Sequence, residues 1–199
     1  IWLYFSYGWL KNPFIGGFFE HTLVLNGSDS KEAGKQWALY AEGFKQGDQL
    51  IAVNGISILN SSDLENILSA STVKQSVSVK MSTREGLPRT VSITLQSFSS
   101  ADQLAYFILP MVLSLVFLII SLWIFGLRRS EPAGRAFSML TSSLAIATGG
   151  LFDLYTSHHF THVWTMAVAL TGGSLIALGL VFPQEARFVI GRPYLRWVG

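Results

Sequence analysis

Cysteine is missing from all 199 residues, which excludes disulfides and thiolate metal sites without fixing a compartment. Charge is scarce too. Only 13% of residues are Asp, Glu, Lys or Arg, about half the share in a soluble domain. Fourteen basic against twelve acidic residues leave +2, too little to recruit nucleic acid, so none is expected as a partner. The pI near 9.0 follows from that small excess. There is no His-Glu-x-x-His, no Gly-x-Ser-x-Gly, no phosphate-binding loop and no carboxylate pair with a supporting base. No enzymatic activity, cofactor or metal is therefore expected. Ile1–Leu10 has neither the basic start nor the small-residue cleavage site of a signal peptide.

What is present is apolar: half of all residues are hydrophobic and the mean hydropathy is +0.41. Leu104 to Gly126 holds 23 residues without a charge, about 34 Å as a helix. That crosses a hydrocarbon core of roughly 30 Å. A second span is expected over residues 133–155 and a third over 163–182, where Pro183 disfavours helical geometry at Phe182. Ser130 is a candidate N-cap and Pro132 lies in the first turn of the second span. Pro110 predicts a kink in the first span. Ala145 with Gly149, and Gly173 with Ala177, have the small-residue spacing of helices that pack in lipid. Ile1–Leu10 reads as the outer end of a further hydrophobic helix.

Loop charges predict the orientation. Arg128, Arg129 and Arg135 flank the first connection, Arg187, Arg192 and Arg196 follow the third span, and Thr156–Thr161 has neither Lys nor Arg. The arginine-rich segments should be cytoplasmic. Residues 11–100 then form an extracytoplasmic domain, and residues 183–199 a cytoplasmic segment, in a bacterial inner or plasma membrane. Trp123, Trp164 and Trp197 fall near the expected interfaces.

Residues 11–100 are mixed and polar. Thr22-Leu23-Val24-Leu25 reads as a strand before an Asn26-Gly27 turn, and Gln49–Val53 as a second strand closed by Asn54-Gly55. Ser62 three residues before Glu65 predicts a capping box, and a short helix burying Leu64, Ile67 and Leu68. Val77, Val79 and Met81, then Val91, Ile93 and Leu95, alternate with polar residues on either side of Arg84–Pro88, as in a hairpin.

The run from Glu42 through Gly43-Phe44, Gly47-Asp48, Leu50-Ile51 and Val53 to Asn54-Gly55, followed by a capped helix and a hairpin, resembles the bacterial PDZ domain. The likeness covers residues 22–96; Gln46 stands where that family often has Pro. It implies a PDZ-like small β-rich domain beside a transmembrane α-helical bundle, an α+β protein. It also implies a groove that adds a peptide as an extra strand. The candidate groove residues are Gly16, Gly17, Phe18 and Phe19 in the loop, Thr22 and Val24 on the strand, and Leu64, Ile67 and Leu68 on the helix. Equally, Phe18 and Phe19 could pack the domain against lipid or its own core. A tether close to the bilayer could also cover the groove.

His158 and His162, four apart, would share a face if helical and could hold a metal or pigment, but no third ligand lies near. Helix-end residues at the interface, His159 among them, are the plainer reading. Asp153, near the outer end of its span, should be solvated or neighboured by Tyr155. Asn12–Phe18, Gly126–Arg129 and Leu180–Pro183 resemble the membrane part of multi-span bacterial signalling proteins, which usually end in a kinase. This implies a sensing and anchoring region that binds a peptide or protein. The alternatives are a non-catalytic accessory subunit of a respiratory or photosynthetic complex, in contact with other membrane subunits, and a remnant of a site-2-type protease.

Overall fold

A computed structural model of the chain describes residues 2–182, which divide into two compact units: 2–108 with 152–159, and 109–151 with 160–182. The class is α+β, with one four-stranded antiparallel sheet and three helices long and apolar enough to cross a membrane. The segment 183–199, with Arg187, Arg192, Arg196 and Trp197, lies outside the described residues.

The first unit opens with α1 (Trp2–Trp9) and a loop, then α2 (Ala38–Ala41), β1 (Gln49–Val53), β2 (Ile56–Ser57), α3 (Ser61–Ser69), β3 (Ser76–Ser82) and β4 (Pro88–Thr94). The strands lie in the order β2-β1-β3-β4. Asn54 and Gly55 both take positive φ, 50° and 78°, as a two-residue hairpin turn of this hand requires. Asn54 Oδ1 also accepts Ser78 N at 2.9 Å, fixing the turn to β3. The buried Asp48 carboxylate accepts Lys45 N at 2.9 Å and Arg84 N at 3.1 Å, tying the loop before β1 to the β3–β4 turn. Period-two alternation holds through the hairpin. Val77, Val79, Met81, Ile93 and Leu95 are buried, and they meet Leu64 and Leu68 of α3 in one apolar core, with Ile67 partly buried beside it.

The cap of α3 differs from expectation by two residues. Asn60 is the N-cap, its Oδ1 accepting Asp63 N at 3.0 Å, while Asp63 Oδ2 accepts Asn60 N at 3.2 Å. Ser62 lies inside the helix. The shorter Asp side chain reaches back while also accepting Leu59 N at 2.9 Å, so the reciprocal pair closes two residues earlier.

A second, aromatic core joins Phe14, Phe18, Trp37, Phe98 and Phe152. It lies beside α4 (Ser100–Gln103), whose N-cap is Ser99. Asp102 is 2% exposed and is surrounded by donors: Trp37 Nε1 at 3.0 Å, Lys31 N at 2.6 Å and Ser99 Oγ at 2.8 Å. A buried carboxylate persists only with such partners.

A π-helical turn (Leu104–Ile108) leads into α5 (Leu109–Arg128). Pro110 itself lies in the first turn of α5, where its missing N–H is tolerated, and the wider turn lies just before it. The continuous helix over Ser100–Arg128 is 29 residues long. Next come α6 (Pro132–Gly149), α7 (Leu151–Tyr155) and α8 (Thr161–Val181). Glu131, not Ser130, caps α6, with Pro132 in its first turn and no side-chain cap bond. The second span is interrupted at Gly150. At Phe182 the backbone is extended, ψ 138°, as the following proline demands.

In the second unit polarity is turned inward. Leu113, Ile119, Leu122 and Trp123 of α5 are exposed, whereas Ser121 is buried. Its Oγ bonds Ser138 O at 2.9 Å, and Ser138 Oγ bonds Ser121 O at 3.1 Å. Thr171 Oγ1 meets Ser143 Oγ at 3.0 Å, and Trp164 Nε1 donates to Ala147 O at 2.9 Å. The second span is 39% buried over its most apolar stretch, against 6% and 11% for the other two. The hydroxyl-rich helix, with Ala145 and Gly149 buried, is therefore the central one of the three.

Candidate peptide-binding groove

The loop over residues 15–19 is fixed at its start by Phe14, which exchanges two backbone bonds with Gln96, 2.7 and 3.0 Å. Gly16 sits at φ 88°, and a Cβ there would be 2.6 Å from Ala38 N. At Gly17 a Cβ would be 2.6 Å from Leu25 Cδ1. Only glycine lets this loop lie so close to α2 and the next strand segment. Gly16 O in turn accepts Leu39 N at 3.2 Å.

Beyond the loop, the expected strand over 22–25 is reduced to single bridges, Phe19 with Leu25 and Val24 with Gln49. Leu23 takes φ 64°, and bonds from Glu20 N to Val24 O and from Leu23 N to Glu20 O close a tight turn. Burial still alternates through it, with Leu23 and Leu25 inside. Leu23 is buried and faces the groove, whereas Thr22 is exposed and Val24 half-buried, and neither lines it.

From α3, Ser61, Leu64, Glu65 and Leu68 line the groove, and Ile15, Gly17, Phe18, Phe19 and Leu23 line the loop side. The spacing i, i+3, i+4, i+7 is one helical face. Ile67 lies off that face, against the apolar core. Of the nine expected residues, five line the groove: Gly17, Phe18, Phe19, Leu64 and Leu68. Gly16 shapes the loop from behind. Phe18 and Phe19 are 1% and 5% exposed, so both also belong to the cores.

The remaining wall was not foreseen as part of the site. Trp9, Tyr155, Thr156 and His158 also line the groove, and only about 30 Å³ of free space is left, room for one or two waters. Tyr155 stacks on Phe18, centroids 5.6 Å apart at 14°. His158 Nε2 lies 3.0 Å from Phe19 O, and its ring meets His21 edge-on at 5.8 Å. Burial is the main reason the His158 imidazole titrates below its ordinary 6.5. The Phe19 carbonyl works against that shift, His21 adds to it, Asp153 opposes it and His159 adds to it.

His158 stands at φ 57° in the loop before α8, so it shares no helical face with His162. Among the described residues no three potential ligands gather as a metal site. Asp153, expected to be solvated or neighboured by Tyr155, is not solvated: it is 1% exposed and accepts Ser157 Oγ at 2.6 Å. The tight turn over 153–158 folds back over the carboxylate and removes it from water.

Comparison with protein families and with curated proteins finds no match. No family is shown. Among solved structures, an aminopeptidase N family protein from Idiomarina loihiensis overlaps 46% of this chain and 15% of its own, at 15% identity and a TM-score of 0.34. The tricorn protease overlaps 43% of this chain and 9% of its own, at 14% identity and a TM-score of 0.36. Both overlaps are small parts of much longer chains, and neither score indicates a common fold.

Proposed function

We propose that the chain is the sensing and anchoring part of a multi-span bacterial membrane protein, with a non-catalytic PDZ-like domain outside the cytoplasm that binds a peptide or protein terminus. The observation that carries this reading is the convergence of a glycine-rich loop and one face of α3 on a single apolar groove. Three further features support it. Asp48, Asn54 and Gly55 of the PDZ-like run each hold a turn of the sheet. Three apolar helices suit a membrane anchor. The arginines at 128, 129 and 135 bias that connection toward the cytoplasm.

The test is binding of the full chain, in nanodiscs, to an immobilised library of peptides with free C-termini. Retention of a defined set that is lost on Leu68→Glu is the expected outcome. No retention by the chain, nor by variants in which Tyr155 or His158 is cut back to Ala to widen the groove, would sink the reading. A fixed structural role in a larger membrane complex is the second reading, favoured by the small free space left in the groove. Co-purification with such a complex at constant stoichiometry is its signature.

A further inference from the structure

We infer that the turn Tyr155–His158 is a built-in lid, an internal occupant that keeps the groove closed until a ligand or a movement of the adjoining helices displaces it. This inference rests on the groove reading above and adds its regulation.

Contacts at Tyr155, His158 and Phe152 hold the lid. The Tyr155 ring covers Phe18, the His158 imidazole meets the Phe19 carbonyl, and Phe152 anchors the turn in the aromatic core. Phe19 O is a main-chain acceptor at the mouth of the groove, the kind of group that an added strand would use. Here a side chain has taken it. The turn is self-folded, since Thr156 N and His158 N both donate to Asp153 O, at 3.1 and 2.8 Å. It therefore plugs the groove with side chains and does not extend the sheet. Such a plug can leave without breaking the ladder.

His158 takes a left-handed backbone, φ 57°, which histidine accepts more readily than most residues other than glycine. In sequence the lid joins α7 directly to α8, so both of its ends continue into membrane-spanning helices. A ligand that binds only the opened groove shifts that equilibrium by its difference in affinity for the two states. By reciprocity, a helix rearrangement that pulls the turn away changes ligand affinity equally.

Acid should loosen the lid. The groups around His158 are His21 on the loop, Asp153 and His159 on its own segment, and Glu65 on the opposite groove wall. Burial depresses the His158 pKa in the closed state. The open form therefore takes up its proton first, and closure is full above about pH 6.5 and weakens as pH falls below it.

The absence of native cysteine allows a direct test in the full chain, reconstituted in nanodiscs. Ser61→Cys places a thiol at a buried hydroxyl of the groove that has no hydrogen-bond partner among the described residues. Ser92→Cys reports an exposed sheet position and Val79→Cys a core position that only unfolding uncovers. With N-ethylmaleimide, Ser61→Cys should react far more slowly than Ser92→Cys. His158→Ala, and separately Tyr155→Ala, should speed it about tenfold, the effect of losing one such contact, with Val79→Cys still protected. The Ser61→Cys to Ser92→Cys rate ratio should also rise between pH 7.5 and 5.5 without any lid substitution.

Equal rates at Ser61→Cys and Ser92→Cys in the unaltered lid would overturn the inference. So would rates unmoved by both substitutions and by acid, or a gain seen only together with Val79→Cys. The C-terminal peptide library separates the two claims. Peptides held only by the opened forms support both. An opened groove that holds none leaves the lid standing and sinks peptide binding, while equal retention by closed and opened forms sinks the lid alone.

Discussion

The two units solve opposite solvation problems with similar residues. In the first, Leu50, Val53, Val77 and Val79 are buried, while Ser76, Ser78 and Thr90 are exposed. In the second, Leu115, Ile119 and Leu122 are exposed, while Ser121, Ser138 and Ser143 are buried. Water expels apolar groups in the one case. The other holds three helices long and apolar enough to cross a membrane; hydrocarbon would offer their apolar groups nothing to escape, which suits an interior of small hydroxyl residues that bond across helices. Burial alone therefore does not mark a core residue; the surrounding solvent decides which chemistry belongs inside.

Substitutions that exchange the two chemistries should break this contrast most severely. Val79→Ser leaves a void and an unpaired hydroxyl at a fully buried position, and should cost about 3–4 kcal/mol in a urea titration followed by tryptophan fluorescence. Leu122→Ser, 64% exposed, should cost less than about 1 kcal/mol in the same titration. Similar losses at the two positions would erase the distinction. Slightly smaller is Ile119→Asp, a charge on the exposed face of α5, with an insertion penalty of about 3 kcal/mol measured by glycosylation mapping. Thr90→Asp on the open sheet should stay within about 0.5 kcal/mol.

Smaller effects sharpen the comparison. Asn60→Ala removes the α3 cap and should lower the stability of the first unit by about 1 kcal/mol, read as a shifted urea midpoint. Ser121→Ala should weaken the association of α5 with α6 by only about 0.6 kcal/mol, seen as a modest drop in thermal stability in detergent. A loss several times larger would mean that hydroxyl bonds dominate the second unit.

The sequence exposed whatever depends on a residue's own backbone or on strict periodicity. Asn54-Gly55 announces its turn because few residues accept φ 50° and 78° in succession. Val77, Val79 and Met81 announce a strand by alternation, and the uncharged stretch from Leu104 announces a span by length. Reading failed where geometry is set by a distant partner. Leu23 and Leu25 are the inward residues of a tight turn closed between Glu20 and Val24, so Thr22 and Val24 do not line the groove. The lid was illegible for the same reason. His158 and Phe19 meet across 139 positions, and nothing periodic links a Tyr-Thr-Ser-His turn to a loop so far upstream. The cap at Asn60 was missed more locally, because Ser62 with Glu65 matches the usual capping pattern better than Asn60 with Asp63 does.

The reciprocal serine contact also constrains how the bundle can move. Because each hydroxyl grips the other helix's carbonyl, at 2.9 and 3.1 Å, a slide of α5 along α6 by one residue's rise, about 1.5 Å, breaks both bonds together. A second bond, Ser114 Oγ to Ala145 O at 2.7 Å, clasps the same pair further along its length. A slide strains both clasps together and a tilt about either one strains the other, so the pair is pinned against both motions.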